Sequence, residues 1–252
     1  MSYHFENKIV WLIGASYGIG AQLAQDLSDK GAIMCLSARS DDKLQNVSEQ
    51  CRSDTTIVTC DVTQTESVQR AYHIIKEKYG HIDMVIYNAG AYDPTSSLNF
   101  DLDAIFTMID VNLHGAIRTL HTILPDMQQR HSGVIALVGS VAGYRGLPKA
   151  MGYGASKAAL IHLAENLKQD LGQHSGITVQ LINPGFVKTR LTDKNDFTMP
   201  MRISTAKASQ YIVNGLEKQS YEIHFPKRFT YIMKILALLP NRLYFWLSEK
   251  LL

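Results

Sequence analysis

The sequence contains few cysteines and no residue spacing typical of a metal site. Its 252 residues include three cysteines, which cannot pair into a complete set of disulfides. Cys35 and Cys60 lie in apolar runs, which predicts buried thiols in a reducing compartment, and Cys51 is expected half-exposed on a helix. Neither a CxxC nor an HExxH spacing occurs and the nine histidines are scattered, so we predict no metal site.

Long apolar runs and an excess of one charge are also missing. No stretch reaches the roughly 18 uninterrupted apolar residues that a membrane-spanning helix needs. The N-terminus shows no basic stretch followed by an apolar core and a cleavage site, so we expect no signal peptide and a cytoplasmic protein. A formal net charge of +2, without a basic stripe outside the C-terminal tail, argues against a nucleic-acid partner.

Short apolar runs alternate regularly with helical periods along most of the chain. Strands are predicted at about 8–13, 32–37, 55–60, 83–87, 133–139 and 177–183, and helices at about 18–29, 41–51, 64–79, 101–129, 151–172 and 204–218. This alternation predicts a doubly wound α/β fold of Rossmann type, with one parallel sheet covered by helices on both faces. We expect a single domain over 1–252, with a core at 6–225 and a helical tail at 226–252.

The first predicted strand runs directly into a glycine-rich turn. KIVWLIG leads into GASYGIG, and a helical pattern follows. Glycines let the backbone approach a pyrophosphate closely, and the phosphates then lie at the amide-rich start of the helix. The turn is therefore predicted to bind a dinucleotide through Gly14, Ser16, Tyr17, Gly18, Ile19 and Gly20.

A tyrosine and a lysine four residues apart form a candidate proton-transfer site. In YGASK a helix would place Tyr153 and Lys157 on one face, where the ammonium is expected to lower the phenol's pKa from its usual value of about 10. Ser140, after the apolar run VIALV, is expected to hold a substrate oxygen. The spacing alone is weak evidence, because an ordinary amphipathic surface pair also produces it.

Together these motifs resemble the short-chain dehydrogenase/reductase family. The resemblance runs from Gly14 to about Thr189 and includes, in the family's order, GASYGIG, Asp61-Val62, Asn88-Ala89-Gly90, Asn112 in VNLHG, Ser140, YGASK and Pro184-Gly185. Two positions depart from the family pattern, since Ile13 replaces a hydroxyl residue and Tyr87 replaces an asparagine. Both changes are expected to weaken side-chain hydrogen bonding and to leave the glycine turn intact.

The resemblance implies direct hydride transfer between a nicotinamide and a carbonyl or alcohol carbon. Tyr153 would be the acid or base, and Lys157 would lower its pKa and bind the nicotinamide ribose. Ser140 would orient the substrate oxygen, and Asn112 would anchor a water-linked proton path. The resemblance also implies cofactor contacts along three further segments: Asp61 and Val62 at the adenine, Asn88 with Ala89 and Gly90, and Pro184, Gly185, Val187 and Thr189 at the carboxamide.

The end of the second predicted strand bears on the choice of cofactor. In this fold it lies beside the adenosine ribose, where a carboxylate binds the 2′-hydroxyl of NAD and a cation binds the 2′-phosphate of NADP. Ala38 stands where NAD-binding members of the resembled family carry an acid, and Arg39 and Ser40 follow. An arginine fork pairs well with a phosphate, so we predict NADP(H) in preference to NAD(H). Cells usually keep NADPH reduced, which favours carbonyl reduction as the direction.

Three segments are candidate walls of a substrate pocket: residues 91–98, residues 141–151, and residues 190–203, here called the lid. In the lid, Phe197, Met199 and Met201 either close over an apolar ligand or pack on the core. Arg145 either contacts an anionic group or is a surface arginine, and the second interpretation is simpler.

The C-terminal tail departs most from the resembled family. It lacks the usual Val-Asp-Gly-Gly turn and reads KRFTYIMKILALLPNRLYFWLSEKLL, with five basic residues and one acid. Such an ending resembles a minority branch whose members include enzymes acting on lipid-like or steroid-like carbonyls, so we expect an apolar substrate. Three ways of burying the tail are open: as a cover over the pocket, against a second subunit, or peripherally in the headgroup layer of an anionic membrane.

Two functions follow from these observations. The first is an NADP(H)-dependent oxidoreductase of a hydrophobic carbonyl or alcohol, and the second is a non-catalytic NADP-binding regulator or scaffold. The complete set of Ser140, Tyr153, Lys157 and Asn112 favours the enzyme, because a sensor has no need of a tuned phenol, although a fold never proves chemistry. The resemblance further implies a homodimer or homotetramer formed through the long helices that contain Asn112 and Tyr153.

Overall fold

The strands of the protein form one parallel sheet. The computed structural model describes residues 2–98, 100–172 and 175–251. Within these ranges the strands are β1 Ile9–Ile13, β2 Ile33–Ser37, β3 Thr55–Ile57, β4 Met84–Tyr87, β5 Gly133–Val138, β6 Ile177–Pro184 and β7 Glu222–Phe225. Their order in the sheet is β3-β2-β1-β4-β5-β6-β7. The winding direction reverses between β1 and β4, which opens a crevice at the carboxyl ends of these strands.

Helices cover both faces of the sheet, as the doubly wound prediction requires. They are α1 Gly18–Ser28, α2 Asp41–Ser48, α3 Thr65–Tyr79, α4 Leu102–Ile109, α5 Gly115–Arg130, α6 Met151–Leu171, α7 Thr205–Glu217, α8 Lys227–Leu238 and α9 Asn241–Leu251. The fold class is confirmed. The predicted helix 41–51 ends early, so Cys51 follows α2 instead of lying on it.

The central strands are apolar at every position because both of their faces are buried. Successive residues point to opposite faces, so Leu12 and Ile86 pack in the layer under α1 and α7. Trp11 and Val85 pack on the other side, with apolar residues of α3, α5 and α6. These two layers fix β1 and β4, and with them the crevice that the strand ends form.

Two elements differ from the predicted pattern. The predicted helix 101–129 is interrupted by a π-helical turn, Asp110–His114, between α4 and α5. Such turns occur frequently at functional sites. Strand β7 was not predicted, because its four residues EIHF carry two polar side chains, yet it pairs along β6 from Leu181 to Pro184.

The C-terminal tail forms two helices that pack on the protein's own body. Pro240 separates α8 from α9, since proline cannot continue a helix. Phe229 and Met233 of α8 form an apolar cluster with Val141. The described side chains of the tail end at Ser248, so Glu249 and Lys250 lie outside them. In the described ranges, no helix has both the length and the apolar character needed to cross a bilayer.

Arg145 holds the junction between α8 and α9. Its Nη1 donates to the carbonyl oxygens of Ala237, at 2.8 Å, and Leu239, at 3.2 Å, which are free at the end of α8. Its guanidinium lies 4.5 Å from the centroid of the Tyr244 ring. Arg145 is therefore not a free surface arginine. It fastens the tail to the wall segment 141–151.

Candidate active site

The glycine-rich turn between β1 and α1 fits tightly against the segment after β4. Gly14 has a φ of +89°, and a Cβ there would lie 2.5 Å from the Ala89 nitrogen. A Cβ at Gly20 would lie 2.1 Å from the Gly14 oxygen. Asn88 Nδ2 donates to that same oxygen at 2.8 Å. Only glycine fits at both positions, so the predicted segments 14–20 and 88–90 form one backbone-built surface.

The first turn of α1 is open to an anion. Tyr17 is the residue at the helix start, but no side chain caps the first amides and the first turn contains no acid. Free amides at the positive end of a helix dipole suit a pyrophosphate. A cavity of about 320 Å³ adjoins this turn and is lined by Tyr17, Gly18, Lys188, Thr189, Arg190 and Asp193. Ser16 and Ile19 lie in the same turn, and the residues present therefore fit a nicotinamide dinucleotide.

The predicted 2′-phosphate contacts lie beside the same turn. The nitrogens of Gly14 and Ala15 donate to the Ser37 oxygen, at 2.7 and 3.1 Å, which places the end of β2 against the glycine turn. Arg39 is exposed two residues further on. Ser40 precedes α2 without capping it through its side chain, so its hydroxyl is not used there. A cation and a hydroxyl thus flank the crevice where an adenosine ribose would lie.

Asp61 and Val62 follow β3 at the same edge of the sheet. Asp61 Oδ1 accepts from Thr63, from the nitrogen at 3.0 Å and from Oγ1 at 2.8 Å. The Val62 oxygen accepts from Arg118 Nη1 at 3.2 Å. The Asp61 carboxylate therefore stabilises its own turn and keeps this short segment in place, and its contact with an adenine stays a prediction.

Tyr153, Lys157 and Ser140 meet at the carboxyl end of β5. Tyr153 and Lys157 lie one turn apart on α6, with Lys157 Nζ 5.8 Å from the centroid of the phenol ring. Lys157 Nζ donates to the Val138 oxygen at 2.7 Å. Ser140 begins a short helical turn, where its Oγ accepts from the Ala142 nitrogen at 3.1 Å. The structure thus brings the three predicted side chains together.

The electrostatics of this group differ from the expectation. Burial raises the pKa of the Tyr153 phenol, and a hydrogen bond with Ser140 acts in the opposite direction. Burial lowers the pKa of the Lys157 ammonium to about 8. The expected net lowering of the phenol's pKa was wrong for this structure, because loss of water at the buried phenol outweighs the stabilisation of a phenolate by the ammonium, which donates to the Val138 carbonyl. Tyr153 is therefore a neutral phenol at neutral pH.

Asn112 lies fully buried in the π-helical turn. Its Nδ2 donates to the Ala91 oxygen at 3.0 Å and to Ser156 Oγ at 2.9 Å. Its Oδ1 accepts from the Ala91 nitrogen at 2.7 Å. These bonds hold the segment after β4 against α6. The side chain thus positions the site, and a proton path through Asn112 stays a prediction.

Tyr87, one of the two departures from the family pattern, makes a hydrogen bond of its own. Its Oη donates to the Val111 oxygen at 2.5 Å, inside the π-helical turn that carries Asn112. A Cβ at Gly115 would lie 2.2 Å from that oxygen atom of Tyr87, so the small residue at 115 makes room for the phenol. The expectation of weakened side-chain bonding was therefore wrong at Tyr87. Ile13 is simply buried in β1.

The segment after β6 closes the crevice opposite the glycine turn. Pro184 ends the strand, and the nitrogen of Gly185 donates to the Phe225 oxygen at 2.7 Å. The Val187 oxygen accepts from Thr192 Oγ1 at 2.7 Å. The Thr189 methyl group lies 3.1 Å from where a Cβ at Gly18 would be. The predicted carboxamide-binding segment therefore faces the predicted pyrophosphate turn.

The lid is tied to both sides of the crevice by contacts that the sequence did not reveal. On the substrate side, Tyr92 Oη donates to Asn195 Oδ1, and the Tyr92 ring packs edge-on against Tyr153 at 5.0 Å between centroids. On the cofactor side, the Arg190 guanidinium lies 3.0 Å from the centroid of the Tyr17 ring. These pairs are distant in the chain, and no local pattern marks them.

The apolar lid residues are not part of the main core. Phe197 packs edge-on against Phe186 at 5.8 Å, but both Phe197 and Met201 stay more than 40% exposed. Met199 Sδ accepts from Asn195 Nδ2 at 3.3 Å. Contact of these residues with a ligand therefore stays a prediction.

Comparison with known proteins agrees with this geometry. A family model described as short chain dehydrogenase matches residues 8–199. The chain belongs to the short-chain dehydrogenase family. A Myxococcus xanthus (strain DK1622) protein named "Uncharacterized oxidoreductase" is 33% identical over 247 residues, which cover 97% of this chain and 96% of that protein. The mouse protein "Dehydrogenase/reductase SDR family member 7" is 34% identical over 203 residues, which cover 78% and 60%.

Solved structures of other short-chain dehydrogenases have the same fold. Levodione reductase superposes with a TM-score of 0.82 at 22% identity, over 90% of this chain and 99% of that one. An alcohol dehydrogenase from the archaeon Thermococcus sibiricus, complexed with 5-hydroxy-NADP, gives a TM-score of 0.78 at 23% identity, over 87% and 96%. Identity this low establishes the fold alone.

This short-chain dehydrogenase is thus an oxidoreductase of a family that binds a nicotinamide cofactor and acts on small molecules. Cys35 and Cys60 are buried, as predicted, and burial raises their pKa values to about 12 and about 11. Neither thiol is therefore a nucleophile at neutral pH. In the described part of the chain, no three or more His, Cys, Asp or Glu side chains are grouped to hold a metal ion.

Proposed function

We propose that this short-chain dehydrogenase uses NADPH to reduce the carbonyl group of a hydrophobic small molecule, with Tyr153 as the general acid. One observation carries the proposal: a neutral phenol lies beside a serine and a buried lysine, at the strand ends that also hold the glycine turn. The cofactor, when bound, supplies the hydride.

The protonation states support reduction as the direction. Carbonyl reduction needs a proton for the oxygen, and a phenol whose pKa is raised by burial holds that proton at neutral pH. Ser140 Oγ binds the same oxygen and orients it. Lys157 remains charged below a pH of about 8, so its ammonium stabilises the phenolate that proton donation leaves behind.

Aromatic residues beside Tyr153 and in the lid support an apolar substrate. The Tyr92 ring lies edge-on to the catalytic phenol, and Phe186 and Phe197 pack together where the lid meets the body. Pockets of this composition gain affinity mainly by removing apolar surface from water, with few polar groups to fix orientation. Ser140 and Tyr153 are those polar groups here.

The preference for NADPH is supported by the surroundings of Arg39. Arg39 is exposed two residues after Ser37, whose oxygen bonds the glycine turn, and the Ser40 hydroxyl next to it does not cap α2. Ala38 offers no carboxylate to bind a ribose 2′-hydroxyl. An arginine can bind the 2′-phosphate with two parallel hydrogen bonds.

A homodimer formed through α4 and α5 is supported by exposed apolar residues on these helices. Leu102 and Phe106 of α4 are each more than half exposed, and Ile117 of α5 is 43% exposed. A cavity of about 410 Å³ adjoins them, lined by Phe106, Thr107, Ile109, Asp110 and His114. Apolar patches of this kind mark protein interfaces, and members of the family generally form oligomers.

The experiment that tests the proposed reaction is a substrate panel. Medium and long apolar ketones and aldehydes are supplied with NADPH or NADH, and loss of the reduced cofactor is followed together with alcohol formation. We expect turnover with NADPH at far lower cofactor concentration than with NADH. A panel that gives no alcohol, with a protein that binds NADPH normally, would favour the non-catalytic regulator instead.

A further inference from the structure

Helix α8 has two apolar faces, and only one of them is covered. Phe229 and Met233 are buried against the body of the protein. On the opposite face, Tyr231, Ile235 and Leu238 follow helical spacing and are between 54% and 86% exposed. Packing of α8 on the body of the protein needs only the buried apolar face. The exposed apolar face therefore has some other role.

Helix α9 continues the exposed apolar surface. Tyr244 is buried and its Oη donates to the Gly146 oxygen, so this helix is also fastened to the wall segment 141–151. Leu243, Phe245 and Trp246 are between 43% and 56% exposed. The tail surface is defined here by seven large side chains: Tyr231, Ile232, Ile235, Leu238, Leu243, Phe245 and Trp246.

The charged residues within 226–248 are all of one sign. Residues 226–248 contain four basic residues and no acid. Lys234 pairs with Glu222 of β7, but Lys227 and Arg228 are exposed in the first turn of α8, and Arg242 is exposed in the first turn of α9. Neither first turn contains an acid. Cations at the start of a helix oppose its dipole, and an external anion would offset that cost.

A second copy of the chain fits this surface less well than a lipid surface does. In a two-fold dimer the tail surface would face itself, so its cations would meet cations and no acid of residues 226–248 could pair with them. A layer of anionic headgroups over acyl chains supplies both an anion for each cation and an apolar medium for the exposed rings and aliphatic chains. Trp and Tyr are the side chains that favour such a boundary.

We propose that the tail surface docks on the headgroup layer of an anionic membrane, with Lys227, Arg228 and Arg242 contacting lipid phosphates. The helices lie on the membrane and do not cross it. Because α8 packs against Val141 and Arg145 joins the tail to segment 141–151, the docked protein would hold its substrate pocket close to the membrane. This last consequence rests on the proposed function, whereas the docking itself does not.

Sedimentation with lipid vesicles tests the proposal. The full chain is mixed with vesicles of phosphatidylcholine alone or of phosphatidylcholine with phosphatidylglycerol, at low and at high salt. We expect sedimentation with the anionic vesicles at low salt, and at least a tenfold smaller bound fraction both on neutral vesicles and at high salt. Absence of sedimentation with anionic vesicles at low salt overturns the proposal.

Two variants of the tail and one matched control sharpen the test. The double variants Ile235→Ser with Leu238→Ser, and Lys227→Glu with Arg228→Glu, are each expected to lower vesicle binding at least tenfold. Ile74→Ser removes an exposed apolar residue of α3, outside both the tail surface and the proposed dimer face, and is expected to leave vesicle binding unchanged. Unaltered NADPH affinity, measured by nucleotide fluorescence, establishes that each variant is folded.

The remaining outcomes separate the lipid surface from a second copy of the chain. Tail variants that bind vesicles like the wild type overturn the proposal. So does a tail variant that becomes a smaller oligomer in analytical ultracentrifugation while its vesicle binding is unchanged, because the tail surface is then a subunit interface. Reduction of a water-soluble ketone without vesicles is measured in parallel, so that failure of the proposed reaction is recognised independently of docking.

Discussion

The cofactor side and the substrate side of the crevice are built by different means. On the cofactor side the shaping contacts involve main-chain atoms: a Cβ at Gly14 would meet the backbone at Ala89, and one at Gly20 would meet the Gly14 oxygen. On the substrate side they join side chains distant in the chain, such as Tyr92 with Asn195. The cofactor side therefore cannot accept added volume, whereas the substrate side can change residue by residue and so adapt to a different substrate.

The largest effect is expected where a single methyl group meets the backbone of the cofactor side. Gly20→Ala places a carbon 2.1 Å from the Gly14 oxygen, which the structure can relieve only by moving the turn. Overpacking of this kind costs about 1–3 kcal/mol, and with the loss of the turn's shape we expect NADPH affinity to fall about 100-fold. Fluorescence titration with NADPH measures it.

The matched control for that substitution is Gly146→Ala. A Cβ at Gly146 has no atom within 4 Å and needs no unusual backbone conformation. We expect its NADPH affinity to equal that of the wild type. Equal affinities in both alanine variants would show that the glycine turn does not hold the cofactor.

The second-largest effect is expected for a side chain, Arg39, on the cofactor side, where the other shaping contacts involve main-chain atoms. Arg39→Gln removes the exposed cation beside the glycine turn. Charge-assisted hydrogen bonds contribute about 1.5–3 kcal/mol, so we expect NADPH affinity to fall about tenfold to 100-fold while NADH affinity changes little. Titrations with both cofactors provide the comparison, and an equal loss for NADH would assign Arg39 a role other than 2′-phosphate recognition.

The pH dependence of turnover tests the buried lysine between the two sides. The pKa of Lys157 is lowered to about 8, so above that pH the folded protein loses a proton that the unfolded chain still holds. Loss of the ammonium removes stabilisation of the Tyr153 phenolate, and we expect carbonyl reduction to slow about tenfold per pH unit above 8. Stability changes in the opposite sense, since the cost of burying this charge disappears as pH rises from 8 toward the lysine's ordinary pKa.

A rate profile measured with saturating NADPH and ketone checks this expectation. Thermal unfolding over the same pH range gives an independent measurement of the pKa of Lys157. A rate that stays constant from neutral pH to well above 8 would contradict the role given to Lys157.

The smallest effect is expected on the substrate side, where Tyr92 makes one of several hydrogen bonds that hold the lid. Tyr92→Phe keeps the ring against Tyr153 and removes the bond to Asn195, a loss of about 1 kcal/mol. We expect KM for the ketone to rise about fivefold, with kcat and NADPH affinity nearly unchanged. Asn195→Ala should do the same, and the double variant should be no worse than either single one. Additive losses would mean that the two side chains act separately.

The cofactor side could be predicted from the sequence because its signals are local. The strand, the glycines and the helix that follow one another from Ile9 to Ser28 specify their own conformation, and β1 and β2 bring Arg39 to the same edge. Periodicity likewise predicted the doubly wound parallel sheet and the helices that cover it. Each of these features depends on residues within about one supersecondary unit.

What escaped prediction depends on partners that the sequence does not place side by side. Lys157 was expected to lower the pKa of the Tyr153 phenol. Its ammonium donates to the Val138 oxygen, nineteen positions away, and burial raises the pKa of Tyr153. Tyr87 gains a bond to Val111 because the helix opens into a π-helical turn. Arg145 binds carbonyls of a helix more than ninety residues later. Spacing alone indicates which residues can meet and does not give the direction in which each side chain points.

The central claim is that a neutral buried phenol donates the proton. The rate of hydride transfer by the Tyr153→Phe variant tests it most directly. NADPH-loaded wild type and variant are mixed with a reactive ketone in a single turnover, after NADPH affinity has been measured for both. We predict equal affinities and a rate about 10² to 10⁴ times slower in the variant, since only the proton donor is missing. A variant that reduces the ketone at the wild-type rate would show that the proton comes from elsewhere.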